Sequence, residues 1–195
     1  MEKVFNLVIL DASGSMSIIR KAAHKGLNDT IKQLKSIQKE MPARQQLLTV
    51  ILFNSDDTEF LYDNTPIQEV VNLPYGAYKP TGCTPLYDAI GQGIEHVRKI
   101  EGRNDSAMVT IITDGEENSS IHFNHHRIKR LIDECQQKGW DFTFIGTEGL
   151  DVDRLSPSIG ITQNIVFEQS DAGTATMFEE RHRQIRDYNQ RLFRP

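Results

Sequence analysis

Two kinds of apolar spacing alternate along the chain. Continuous runs rich in β-branched residues occupy positions 4–10, 47–54, 106–113 and 140–146, with a shorter run at 164–168. Runs of this kind suit strands covered on both faces of a sheet. Between them, apolar residues recur every three or four positions. Ile19, Ala23, Leu27, Ile31, Leu34 and Ile37 predict a helix over 18–39 with one buried stripe. Leu86, Ile90, Ile94, Val97 and Ile100 predict a second over 85–101, with Pro85 in its first turn. A third carries Ile128, Leu131, Ile132 and Cys135 behind an Asn124 cap and stops at Gly139. A short helix is expected over 151–156. A terminal one is expected over 171–193, with Phe178, Ile185, Tyr188 and Leu192 turned inward.

One strand breaks the alternation. Residues 58–63 follow the second run after only a few polar positions, so they are expected to fold back antiparallel at a sheet edge. Residues 65–80 contain three prolines and a glycine and read as an irregular connection. Gly91 and Gly93 lie within a helical pattern and mark close packing on the sheet. The expected fold is α/β and Rossmann-like: three layers, a central mostly parallel sheet with one antiparallel edge strand, and helices on both faces. With 195 residues and no repeat or linker, the chain reads as one domain over 1–195.

Composition narrows the function classes. Hydrophobic residues make up 38% and charged residues 25% of the chain, and the formal net charge is -5. That balance argues against nucleic acid as the main partner, because phosphate binding relies on Lys and Arg. The arginine-rich end reads as a solvated helix face with acid–base pairs. No segment approaches the length of a membrane span, and the first apolar run is too short for a signal sequence. Cys83 and Cys135 form no CxxC pair and read as two reduced, partly buried thiols. These features together suggest a cytoplasmic protein.

The candidate chemistry lies where strands end. The first strand runs into Asp11-Ala12-Ser13-Gly14-Ser15, and the 106–113 strand into Asp114. Residues at i, i+2 and i+4 of an extended segment point the same way, so Asp11, Ser13 and Ser15 can converge. A third loop brings Thr81 and Thr84 to the start of a helix. In open α/β sheets, ligands bind outside the carboxyl ends of the strands. The set is all oxygen: two carboxylates and several hydroxyls, with no Cys or His. Hard divalent cations take such ligands, Mg²⁺ above all.

Plainer uses exist for each residue. A serine near position 13, 15 or 17 can cap the following helix. Asp114-Gly115 is a turn signal, and Thr84-Pro85 a helix start. Nucleophilic use of Ser13 or Ser15 needs a positioned base, and only His122 stands close enough in sequence to be considered. No G-x-S-x-G and no phosphate-binding glycine loop is present. His122, His125 and His126 read as exposed residues leading into a helix. Glu116 and Glu117 read as an acidic rim or a solvated loop, and His24, His96 and His182 as lone helix residues.

Taken together, Asp11, Ser13 and Ser15, then Thr84, then Asp114 resemble the von Willebrand factor type A domain with a metal-ion-dependent adhesion site, in its bacterial intracellular form. The pattern there is D-x-S-x-S, a distant threonine in a glycine-containing loop, and an aspartate at a later strand end. The resemblance covers most of the chain, with Cys83 as a departure where bacterial members often carry glycine. It implies that Ser13, Ser15 and Thr84 touch Mg²⁺ (or Mn²⁺ or Ca²⁺), with Asp11 and Asp114 mainly acting through water. It implies a binding protein, a scaffold or adaptor and not an enzyme, whose partner offers a Glu or Asp to the ion. In adhesion members, ligand binding also moves the terminal helix. The alternative is a metal-dependent hydrolase using the same strand-end site.

Overall fold

A computed structural model describes residues 2–192. Six strands form one sheet in the order β3-β2-β1-β4-β5-β6. They are β1 (Glu2–Asp11), β2 (Arg44–Phe53), β3 (Thr58–Pro66), β4 (Ser106–Thr113), β5 (Asp141–Thr147) and β6 (Gln163–Phe167). Every pairing is parallel except β2 with β3, which is antiparallel and places β3 at the edge as expected.

Alternation along β1 explains its unbroken apolar run. Phe5, Leu7 and Ile9 enter one core, and Val4, Val8 and Leu10 the other. The first core is covered by α2 (Leu86–Arg98), α3 (His125–Gln137) and α4 (Val152–Ser158). The second is covered by α1 (Arg20–Glu40) and α5 (Asp171–Leu192). All six residues of the expected stripe are buried, five of them on α1 and Ile19 in the turn before it. Asn124 caps α3, its side chain accepting from Arg127 N at 3.0 Å. Gly93 packs on the sheet against Leu7, Ile9 and Ile51, whereas Gly91 packs under the Phe123 ring. Among the described residues, no helix is long and apolar enough to cross a membrane.

The differences from expectation have local causes. The 18–39 helix is preceded by a 3-10 turn over Gly14–Ile19, because the loop must turn before α1 can start. β3 runs on to Pro66, aided by Asn64 at φ 45, where its register with β2 slips. α2 ends at Arg98, so Ile100 is exposed and not on the buried stripe. Phe193, the expected end of the terminal helix, lies outside the described residues. Arg181 is no solvated arginine: it is buried against the sheet, bonding Thr110 Oγ1 at 2.9 Å and Thr143 Oγ1 at 2.8 Å. The three lone histidines have partners: Leu73 O for His24, Asp63 for His96 and Thr30 for His182.

The two cysteines are free but unlike each other, Cys83 exposed and Cys135 buried. Burial pushes the Cys135 thiol up to about 11. A disulfide-exchange reagent at pH 8 should therefore titrate one thiol quickly and the second only after unfolding. Two fast thiols would contradict the packing of α3.

Candidate functional site

Strand order reverses between β2 and β4, the two neighbours of β1, so the carboxyl ends of β1 and β4 flank a crevice. Leu10 pairs with Ile112, which brings Asp11 level with Thr113 and next to the loop that starts at Asp114. Thr113 Oγ1 donates to Asp11 Oδ2 at 2.6 Å, and Ser13 N to Asp11 Oδ1 at 2.6 Å. Tyr78, fully buried, donates its hydroxyl to Asp11 O at 2.7 Å and fixes the end of the strand.

The hydroxyls converge, but not by strand alternation: β1 ends at Asp11 and Ser15 lies in the 3-10 turn, which carries it back beside Ser13. Ser13 Oγ and Ser15 Oγ are 3.3 Å apart, and Ser15 Oγ donates to Asp114 Oδ1 at 2.8 Å. Ser13 flanks the 3-10 turn but makes no capping bond through its side chain, and neither does any serine cap α1. The capping use is thereby removed, and the hydroxyls are left facing the crevice.

The third loop is folded onto the first. Gly14 N donates to Gly82 O at 3.1 Å, and Thr81 N to Ala12 O at 2.7 Å. Gly82 has φ +74, and a Cβ there would run into Ser55 Oγ, which accepts from Cys83 N at 2.9 Å. Only glycine permits this close turn. Thr84 is buried, and its hydroxyl has no hydrogen-bond partner among the described residues. The Asp114-Gly115 turn passes beside it, with Thr84 Oγ1 3.4 Å from where a Gly115 Cβ would stand. Thr81, the other threonine of this loop, is exposed.

Several supporting residues carry no sequence signal of their role. Gln169, in the link between β6 and α5, donates to Asp114 Oδ2 at 2.6 Å. Asn118 bonds Thr84 N through its side chain at 2.9 Å. Glu117 does not form a rim: its carboxylate turns inward to accept from Ser119 N, Ser120 N and Tyr87 N. Glu116 alone stays outward, paired with Arg154 at 3.0 Å. Asp88 accepts from the backbone of Ile121, His122 and Phe123. The hydrogen-bonded histidine rings pair with Leu73, Asn28, Thr30, Asp63, Asn64 and Ser158, and none with Ser13 or Ser15.

Electrostatics sets this group apart. Burial pushes the Asp11 carboxyl up to about 6, despite its bonds to Thr113 and Ser13. Burial also raises Asp114. Neither acid has an ion-pair partner among the described residues. A buried acid and a half-buried one, beside three hydroxyls that serve no cap, are matched in charge and donor type by a hard cation. The spacing also suits one: neighbouring oxygens around octahedral Mg²⁺ stand about 3.0 Å apart, given bonds of ~2.1 Å. The two serine hydroxyls, 3.3 Å apart, stand within a few tenths of an ångström of that value, and Ser15 is held there by its bond to Asp114. Among the described residues, no group of three or more His, Cys, Asp or Glu is placed to hold a metal, so the histidines of 122–126 form no such site.

The von Willebrand factor type A domain family model matches residues 7–181, from the first strand into the terminal helix. The chain belongs to this family. Domains of the family generally act as protein-interaction modules. No curated protein matches the chain. Among solved structures, the von Willebrand factor domain of the type V pili tip protein Mfa5 from Porphyromonas gingivalis has a TM-score of 0.72 at 11% identity, covering 100% of this chain and 97% of its own. The PilB minor pilin from Streptococcus sanguinis has a TM-score of 0.67 at 14% identity, covering 100% of this chain and 64% of its own. The SpRpn10 VWA domain has a TM-score of 0.63 at 11% identity, covering 90% and 94%. At these identities the likeness is one of fold alone. This von Willebrand factor type A chain thus spans less than two thirds of the PilB chain.

Proposed function

We propose that this domain binds a partner protein through a divalent cation held by Ser13, Ser15, Thr84, Asp11 and Asp114. The observation that carries the reading is the Ser13–Ser15–Asp114 cluster, with hydroxyls that cap no helix and acids that lack a counter-ion. A bound Mg²⁺ or Mn²⁺ supplies positive charge that attracts an outside carboxylate. The neutral hydroxyls hold the ion without quenching that charge, and Asp11 and Asp114 orient them. A Glu or Asp of the partner then completes the ion's ligands.

A binding role is favoured over turnover, because among the described residues no histidine ring is hydrogen-bonded to Ser13 or Ser15, and His122 makes hydrogen bonds only through its backbone. A scaffold or adaptor in a reducing, cytoplasmic setting fits the two unpaired thiols. The test is affinity capture from the source organism's extract on immobilised protein, followed by exchange of the captured protein's acidic residues. Capture should require Mg²⁺ or Mn²⁺, be lost in EDTA and in Thr84→Ala, and fail when one partner Glu or Asp becomes an amide. Equal capture in EDTA would sink the reading.

A further inference from the structure

A cleft of about 490 Å³ opens between the N-terminal halves of α1 and α5, apart from the strand-end crevice. Its size is that of a built ligand site. Four rings wall it. His24 and Tyr75 meet edge to face with centroids 5.3 Å apart, and Phe178 and His182 stand 6.1 Å apart. Tyr75 is 52% exposed, although it is a large aromatic residue held in place under Arg20 at 4.8 Å. Burial keeps the His182 ring below its ordinary range, so it adds no charge to the floor at neutral pH.

The two banks carry opposite charge. Lys21 and Lys25 stand one turn apart on α1. Lys25 pairs with Asp29 at 2.6 Å, which also holds Lys32 at 2.9 Å, so this bank keeps an excess of lysines. On α5, Asp171 and Glu179 stand two turns apart with the exposed Ala175 between them. Lys21, Asp171 and Glu179 form no ion pair among the described residues. An apolar, aromatic floor between a basic bank and an acidic bank is complementary to a segment with one apolar stripe flanked by both charges.

We propose that this cleft receives an amphipathic helix of a partner protein. Its apolar side chains sit between the four rings, its acids face Lys21 and Lys25, and its bases face Asp171 and Glu179. The acidic bank spans eight residues of α5, about 12 Å of helix, so two to three turns of the guest suffice, with anchors at i, i+4 and i+7. A second copy of this chain fits less well: a two-fold contact sets one cleft against another, and two concave patches leave both unfilled. The proposal does not depend on the cation, so its test is run in EDTA.

The probe is a display library of helical peptides with one randomised face, selected on the wild-type protein in EDTA. Selected peptides should share the apolar stripe with acids on one flank and bases on the other. Ala175→Trp fills the cleft from an exposed position and should reduce their affinity more than about tenfold. Glu179→Lys should reduce it about threefold or more, as for an exposed charge pair. Both variants should melt with the wild type. Peptides whose affinity survives Ala175→Trp, or a selection without binders, would overturn the proposal. So would a wild-type dimer that Ala175→Trp disperses.

Discussion

Asp11→Asn raises the melting temperature of the chelator-treated protein at pH 8 by roughly 3–10 °C and removes its response to Mg²⁺. The reason lies in the buried carboxyl, which burial pushes up from the ordinary aspartate value of 3.8 to about 6. Below about pH 4 the group is protonated in both folded and unfolded states and costs nothing. Between about pH 4 and 6 the unfolded state releases the proton first, so folding stability falls as pH rises. Above pH 6 the full cost persists, on the order of 3 kcal/mol. Asparagine carries no charge, and its amide can be accommodated. Its oxygen accepts from Ser13 N, and its Nδ2 donates to Thr113 Oγ1. The Thr113 hydroxyl then donates to Gly115 O, already 3.1 Å away. The gain should be about 1–3 kcal/mol, shrinking as the pH is lowered toward 4. A metal-free variant less stable than wild type at pH 8 would show that Asp11 is satisfied without a cation.

Asp88→Ala should lower the melting temperature by roughly 5–15 °C, from a loss of about 2–4 kcal/mol. Asp88 sits in the first turn of α2 and is buried. Its carboxylate accepts from Ile121 N at 2.8 Å, His122 N at 2.9 Å and Phe123 N at 2.7 Å. Ile121 and His122 are exposed and can turn to water, but Phe123 is buried against Gly91 and cannot. The loop so pinned also carries Asn118, which bonds Thr84. Cation affinity should therefore fall together with stability. Thermal melts with and without Mn²⁺ read both effects, and a variant within a degree or two of wild type would deny the clamp its role.

Much of this was legible in the chain. Parallel strands covered on both faces show as unbroken apolar runs, and each run of 4–10, 47–54, 106–113 and 140–146 corresponds to an observed strand. Asp11, Ser13 and Ser15 were legible because they lie close together in sequence at a strand end, although a 3-10 turn and not strand alternation brings Ser15 round, and Asp114 was legible because it ends a run. Thr84 needed the family pattern, since its place beside Gly115 arises from a loop folded across Ser55 and Gly82. Gln169 was not legible at all: it reaches Asp114 only because β6 lies two strands from β4, a fact of topology and not of spacing. Arg181 was misread for a similar reason. Charge alternation places it on a solvated face, while the helical phase set by Phe178 and Ile185 turns it onto Thr110 and Thr143. Glu117 was misread because its backbone partners Ser119, Ser120 and Tyr87 are visible only once the loop is folded.

The cation site itself is tested most directly by counting bound ions. Mn²⁺ is titrated into chelator-treated protein, and the free ion is measured by electron paramagnetic resonance. Wild type should bind one Mn²⁺ per chain, displaceable by Mg²⁺. Ser15→Ala removes one hydroxyl from an exposed position and should lose that site while keeping the fold. Wild type that leaves all Mn²⁺ free, or Ser15→Ala that binds it as tightly as wild type, would contradict a cation held by Ser13, Ser15, Thr84, Asp11 and Asp114.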